Sequence, residues 1–317
     1  MEPARSRNFL ITRMLVMTTL ALEPPSNRSM SETYDGSKLF INLLRGCHWG
    51  PEMLNFGYYV WHNRAPFLAI NKAQRALAYR LISLLKIESG DAVVDIACGR
   101  GGTSDLLRGS TPAGSVCGID LLPENIEIAQ TIFSQGPRLK YVVGDAQDTP
   151  FGDSTFDKAM CCEAAFHFPD RLKFISEVAR VLKPGGRLSM CDFVWKSEEA
   201  KQQGHKDERI AIVRRIWHYQ DMAIEDEYRR WCDECGLKFV RSIDWTRRVT
   251  EPLQRAAEVV VGAQKRRLGR RLLFRRRPQL KCFTAEDWKQ LERDVDAHRF
   301  VTDLTRYKAF VIEKPVV

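Results

Sequence analysis

Asp95-Ile96-Ala97-Cys98-Gly99-Arg100-Gly101-Gly102 constrains this chain more than any other stretch of its 317 residues. A short apolar run, from Ala92 to Ala97, feeds the glycine-rich turn, and a helical pattern follows. Glycine lets a backbone approach a ligand closely and present amide donors at a helix start. Further apolar runs lie at Ser115 to Asp120, Leu139 to Val143, Phe156 to Cys162 and Arg187 to Val194. Helical segments separate some of them, from Pro123 to Phe133 and from Arg171 to Leu182, where Lys183-Pro184-Gly185-Gly186 stops the helix. Short strands alternating with helices predict an α/β fold, a mostly parallel sheet covered on both faces.

The composition suits a chain that buries one large core. Hydrophobic residues make up 44% and charged ones 28%, which excludes disordered, collagen-like and coiled-coil classes. No uncharged apolar run approaches the ~20 residues of a membrane span. The net charge is +9, and eight of the thirteen residues from Lys265 to Arg277 are basic. The excess charge is therefore one local feature. Nine scattered cysteines predict a reduced thiol set and a cytoplasmic setting. Arg13 and the apolar residues Met14 to Leu22 faintly resemble a signal peptide, but Glu23-Pro24-Pro25 follows in place of a cleavage site. A disordered leader is the expectation, with Met30 as an alternative start.

Around the central alternation, apolar spacing predicts helices from Leu39 to Leu44, from Asn71 to Leu85 and from Glu225 to Cys235. A long amphipathic tract runs from Pro252 to about Leu273, and strands are expected from Phe239 to Ile243 and from Tyr307 to Ile312. The expected organisation is a leader over 1–36, a helical segment or lid over 37–88 and a ligand-binding core over 89–195. Cap helices with the last strands fill 196–317, and the cap is expected to close over the site.

Two details separate the glycine turn from a dinucleotide fingerprint. Its acidic residue lies four positions before Gly99, and Ser104 stands where a third glycine would be expected. Asp120, 21 residues past Gly99, is placed for two ribose hydroxyls, with Leu121 beside it. Asp145, in Gly144-Asp145-Ala146, can accept from an adenine amino group. Together with Lys183-Pro184-Gly185-Gly186, these segments resemble the class I S-adenosylmethionine-dependent methyltransferases. The resemblance spans roughly 49–195 and implies a Rossmann-like, seven-stranded, mostly parallel sheet with helical cap elements at both ends. It implies S-adenosyl-L-methionine as cofactor, held by Tyr58, Asp95, Cys98, Gly99, Gly101, Asp120, Leu121, Asp145, Ala146 and Cys162. Ala97 stands where the family usually has glycine, so a slightly more open turn is expected.

The segment Trp49-Gly50 through Phe56-Gly57-Tyr58-Tyr59 is similar to a motif of methyltransferases acting on sterols, tocopherols and natural products. In those enzymes the tyrosines help close the site over the methionine end of the cofactor. Cys162 through Asp170 resembles the sterol C-methyltransferase segment. Phe166 replaces the first of two histidines found in many O-methylating relatives, and His167 matches the second. Cys191-Asp192-Phe193 resembles the Asp-Phe after their fifth strand. An oxygen acceptor needs its proton removed, for which His167 or Asp192 could serve. An alkene acceptor yields a carbocation that aromatic faces and Glu163 could stabilise. Phe166 with Glu163 shifts the expectation toward C-methylation of a lipophilic isoprenoid or sterol-like acceptor. A plain wall role for Phe166 and Phe168, and a packed, non-catalytic His167, stay open.

Cys232-x-x-Cys235 has metal-ligand spacing but no second pair, so no metal is expected. The basic run reads as a solvated cap face, as a helix on anionic lipid, or as a site for an anionic acceptor group. An RNA-directed enzyme or a membrane-associated scaffold are the alternatives of another class. No specific nucleic-acid partner is expected, because Cys161-Cys162-Glu163-Ala164 replaces the Asn/Asp-Pro-Pro-aromatic motif and no RNA-binding module is present.

Overall fold

Helix α1 (Ile70–Leu85) buries Ile70, Ala73, Leu77, Leu81 and Leu85, the three- and four-residue spacing that puts apolar side chains on one face. The computed structural model describes residues 52–60, 70–133, 136–217, 219–276 and 278–316. The expected leader, the Leu39 to Leu44 helix and Trp49-Gly50-Pro51 lie outside the described residues.

From there strands and helices alternate: β1 (Ala92–Ile96), α2 (Gly102–Ser110), β2 (Ser115–Asp120), α3 (Pro123–Ile132), β3 (Leu139–Val143) and β4 (Phe156–Cys162). Next come α4 (Arg171–Val181), β5 (Leu182–Trp195), α5 (Glu198–Lys206), α6 (Arg209–Trp217) and β6 (Ala223–Ile224). The chain continues through α7 (Glu225–Glu234), β7 (Lys238–Asp244), α8 (Thr246–Gln264), α9 (Arg267–Arg276), α10 (Ala285–Leu304) and β8 (Thr305–Glu313).

The sheet runs β3-β2-β1-β4-β5-β8-β7, with two-residue β6 paired to the end of β5. The first five strands are parallel, and β8 is antiparallel to both β5 and β7. Seven strands form the path, in line with the expected mostly parallel sheet. One cluster under α1 and α2 includes Leu77, Leu81, Val93 and Met160. On the opposite face Val94, Ile96, Phe174, Val178 and Phe310 pack together. Strand β1 thus contributes Val93 to one face and Val94 to the other, the period-2 alternation of a doubly covered strand.

Two elements differ from expectation. Pairing of β5 with β4 jumps from Phe156–Leu182 to Lys158–Arg187, so residues 183–186 bulge out within the strand and Gly185 takes φ +80°. The expected single tract from Pro252 to Leu273 is two helices, α8 and α9, separated at 265–266. Pro252 sits inside α8, in its second turn.

Because the chain leaves β1 toward β2 on one side and β4 on the other, a crevice opens at the carboxyl ends of these strands.

Candidate active site

The crevice is a cleft of about 1590 Å³, open to solvent. Its walls include Ala97, Cys98 and Gly99 after β1, Asp120 and Leu121 after β2, Asp145 and Ala146 after β3, and Cys162, Glu163 and His167 after β4. Ten residues singled out in the sequence, counting Ala97, thus meet in one hollow although they span 97 to 167.

The turn is held from below. Asp95 is fully buried, and its Oδ2 accepts from Thr103 Oγ1 at 2.6 Å and Ser104 Oγ at 2.7 Å. Burial pushes the Asp95 carboxyl up to about 6, partly offset by those two hydroxyls. Asp95 does not line the cleft; it braces the loop that does. Gly101, at φ +84°, is also set back, where a Cβ would lie 2.7 Å from the Tyr141 hydroxyl and 2.8 Å from Ala129 Cβ. Its absent side chain lets α2 seat against β3 and α3. Ala97 holds φ +54°, the left-handed region glycine enters freely, at a cost of about 1–2 kcal/mol for alanine.

Asp120 accepts from Gly99 N at 2.8 Å, Leu122 N at 3.0 Å and Asn125 Nδ2 at 3.0 Å. Its carboxylate therefore fixes the glycine turn and still borders the cleft. At Asp145, Gln147 N donates to Oδ1 at 2.8 Å, and no described donor reaches Oδ2. Asn55, 4% exposed, lines the same cleft with neither amide atom hydrogen-bonded. Paired carboxylates on adjacent strand ends, a glycine loop and an orphaned amide fit an adenosyl group with an amino-acid tail.

Tyr58 does not take the place expected of it. Its ring packs edge-on to Trp245 at 5.6 Å, with the Arg80 guanidinium 4.0 Å from its centre, and it is not among the cleft's lining residues. Tyr59 is buried against Ile70 and Leu253. Glu52, Met53, Leu54, Asn55 and Phe56 form the wall in their stead. This strap is tied down: Gln74 Nε2 donates to Met53 O at 3.1 Å and to Asn55 O at 2.8 Å. Gly102 N donates to Glu52 O at 3.2 Å and Tyr58 N to Ala73 O at 2.7 Å.

Asp192 is likewise outside the cleft. Cys191 and Phe193 point to one face of β5, so Asp192 points to the other, fully buried. It accepts from the Tyr228 hydroxyl at 2.6 Å, and Arg171 Nε lies 3.8 Å away. Burial raises its carboxyl to about 6, against the Arg171 charge and the Tyr228 bond. A base with no path to the cleft cannot reach an acceptor, so Asp192 is a structural carboxylate.

Glu163 is in the cleft. Phe56 N donates to its Oε2 at 2.8 Å and the Tyr307 hydroxyl to its Oε1 at 2.5 Å. Burial pushes this carboxyl up to about 7, opposed by the Tyr307 and Phe56 bonds, with Asp192 adding repulsion. Its backbone holds φ +55°, strain that the surrounding contacts must sustain. His167 lines the cleft too, its ring 4.2 Å from that of Phe166.

A second hollow, about 660 Å³ counting the solvent-open space at its mouth, shares part of its wall with the first and was not foreseen from the sequence. Phe56, Phe166 and Trp217 border both, forming the throat between them. Phe193 meets Phe56 and Phe166 edge-on at 5.6 Å and 5.5 Å, and Trp217 meets Phe56 at 4.7 Å. Beyond the throat the chamber is walled by α6, α8 and α10, with Trp217 Nε1 donating to His298 Nε2. Burial brings His298 down to about 4, so its ring is neutral. The chamber joins residues of three helices 33 to 89 positions apart, and only a shared apolar face, common to any core, marked them in sequence.

Cys232 is buried within α7 and Cys235 ends it; among the described residues no group of three or more His, Cys, Asp or Glu could hold a metal. No described helix is long and apolar enough to cross a membrane.

Residues 94–190 match the methyltransferase-domain family. The chain is 28% identical over 213 residues to a probable tocopherol O-methyltransferase of Oryza sativa subsp. japonica, covering 63% of this chain and 58% of that protein. It therefore spans less than two thirds of that relative's length. It is 28% identical over 247 residues to the 27-O-demethylrifamycin SV methyltransferase of Amycolatopsis mediterranei, covering 77% and 86%. In fold it is similar to geranyl diphosphate C-methyltransferase from Streptomyces coelicolor A3(2), solved with Mg2+, geranyl diphosphate and S-adenosyl-L-homocysteine. That likeness has a TM-score of 0.59 at 16% identity, covering 87% of this chain and 98% of that one.

Proposed function

Residues 94–190 are an S-adenosylmethionine-dependent methyltransferase domain, and from that premise we propose that the chain methylates carbon in a lipophilic small molecule of isoprenoid or sterol-like type. The observation that carries this reading is the throat: a half-buried carboxylate, Glu163, in the cleft that Phe56, Phe166 and Trp217 border, with Phe193 packed on the first two. Bound S-adenosyl-L-methionine would supply a methyl group on a cationic sulfur. In this reading Asp120 takes the ribose hydroxyls, Asp145 the adenine amino group, and Cys98, Gly99, Leu121, Ala146 and Cys162 the remaining contacts. Asn55 replaces Tyr58 at the amino-acid end.

An alkene carbon that accepts a methyl group leaves positive charge on its neighbour. Aromatic faces and a carboxylate stabilise such charge where water is excluded. Glu163, raised to about 7, is then suited to take the proton whose loss restores the double bond. The aromatic walls also hold the acceptor in line and keep water out, which is most of what methyl transfer requires. The O-methylation alternative rests on His167 alone, since Asp192 is sealed off.

The chain can be given cofactor with a labelled methyl group and a fractionated lipid extract, and the product identified. A carbon-bound label that disappears in Glu163→Gln supports the reading. An oxygen-bound label retained in that variant and lost in His167→Ala overturns it.

We also infer peripheral contact with anionic lipid through α9. None of its residues is buried, Leu268 and Leu272 are 68% and 52% exposed one turn apart, and arginines flank them. Leu273 and Phe274 pack on the cluster that contains Leu253, a chamber residue, so the helix is fixed beside the proposed acceptor site.

A further inference from the structure

We propose that the chamber selects an uncharged lipophile bearing a hydroxyl group, with the Gln254 amide oxygen as the acceptor of that hydroxyl's hydrogen bond. This rests on the methyltransferase reading above and narrows its acceptor class.

Gln254, 4% exposed, lines the chamber from α8. Its Nε2 donates to Val295 O at 3.0 Å and to Glu258 Oε1 at 2.9 Å. A carbonyl and a carboxylate can only accept, so the amide cannot be turned the other way. Arg299 Nε donates to the same Glu258 oxygen at 2.7 Å and holds the relay in place. The amide oxygen is left as the polar atom Gln254 offers to the hollow.

Two threonines of the wall have the same sense. Thr250 Oγ1 donates its hydrogen to Thr246 O at 3.2 Å, and Thr305 Oγ1 to Val301 O at 2.9 Å. Both oxygens therefore present lone pairs only. The Tyr219 hydroxyl, buried in the same wall, keeps its hydrogen and can meet the oxygen of that ligand hydroxyl. A ligand that brings a donor is matched by these three acceptors, and one without a donor leaves them unpaired.

Charge points the same way. Among the described residues no lysine or arginine lines either hollow, while Glu52, Asp120, Asp145 and Glu163 line the cleft. A diphosphate needs cationic partners or a metal held by clustered ligands, and no such cluster occurs among the described residues. A neutral alcohol meets neither obstacle.

The test measures quenching of tryptophan fluorescence, Trp217 being in the throat, by farnesol, farnesyl methyl ether and farnesyl diphosphate, the last with and without Mg2+. Farnesol should bind at least about tenfold more tightly than the diphosphate under both conditions. It should bind about fivefold or more tightly than the ether, which lacks the donor. In Gln254→Met the alcohol should fall to the level of the ether. Equal or tighter binding of the diphosphate, equal binding of alcohol and ether by the unmodified protein, or binding of none of the three overturns the proposal. Calorimetry with S-adenosyl-L-methionine on the same protein separates the two levels. If cofactor binds while the probes contradict, only the chamber assignment fails; if cofactor does not bind, the methyltransferase reading fails whatever the chamber does.

Discussion

Tyr307 and Glu163 lie 144 residues apart in sequence, and the Tyr307 hydroxyl donates to Glu163 Oε1 at 2.5 Å. The final strand thus reaches across β5 to set the ionisation of a carboxylate that follows β4.

That bond favours the charged carboxylate, so its removal raises the carboxyl further above 7. If ionised Glu163 serves the reaction, activity rises with pH through a midpoint near 7. In Tyr307→Phe the midpoint should move upward by roughly one pH unit, since a hydrogen bond to a charged group contributes about 1.5–3 kcal/mol. A pH–rate profile that does not move would separate Glu163 from the chemistry.

The same carboxylate weighs on stability. Its folded value near 7 exceeds its ordinary value of 4.5, so the folded state binds the proton more tightly and loses stability as pH rises between the two. The interval corresponds to about 3 kcal/mol, present in full above 7 and absent below 4.5. Glu163→Gln should therefore gain in Tm over the unmodified protein at pH 8 relative to pH 5. A pH-independent difference between the two proteins would contradict the burial argument.

If Asp120 takes the ribose hydroxyls as proposed, Asp120→Ala should weaken cofactor binding by about 1–3 kcal/mol in calorimetry. The loss should be accompanied by a looser glycine turn, since Gly99 N loses its acceptor as well.

These two assignments differ in how far the sequence announced them. That Gly99, Asp120 and Asp145 share one cleft was legible because each sits at a fixed offset from the end of a short strand, and strand ends share one edge of the sheet; that Asp95 lies beneath the turn was not. Tyr307, Gln254 and His298 were not, because nothing local marks a residue that meets its partners only through helix packing. Tyr58 was misplaced because the strap around it has no period from which to read a facing. Asp192 could have been read correctly: in an alternating strand, Phe193 and Asp192 cannot both face the acceptor.

Gly101→Ala should lower stability by about 2–4 kcal/mol, combining a left-handed backbone with contacts below 3 Å to Tyr141 and Ala129. Thermal unfolding measures it, and an unchanged Tm would mean that α2 can shift away from β3.

Replacing Arg270 and Arg271 by glutamate should abolish binding to vesicles of phosphatidylserine and phosphatidylcholine while leaving cofactor affinity intact. Binding of the unmodified chain should weaken as salt rises. Equal binding to vesicles of phosphatidylcholine alone would remove electrostatic attraction from the account.

The strap at 52–58 is moored by backbone and glutamine bonds to α1 and α2, and through Phe56 to Glu163. It therefore behaves as a door jamb rather than a door. If a bulky acceptor passes Phe56 as proposed, any widening of the way in is expected on the helical side, at α6 and α10.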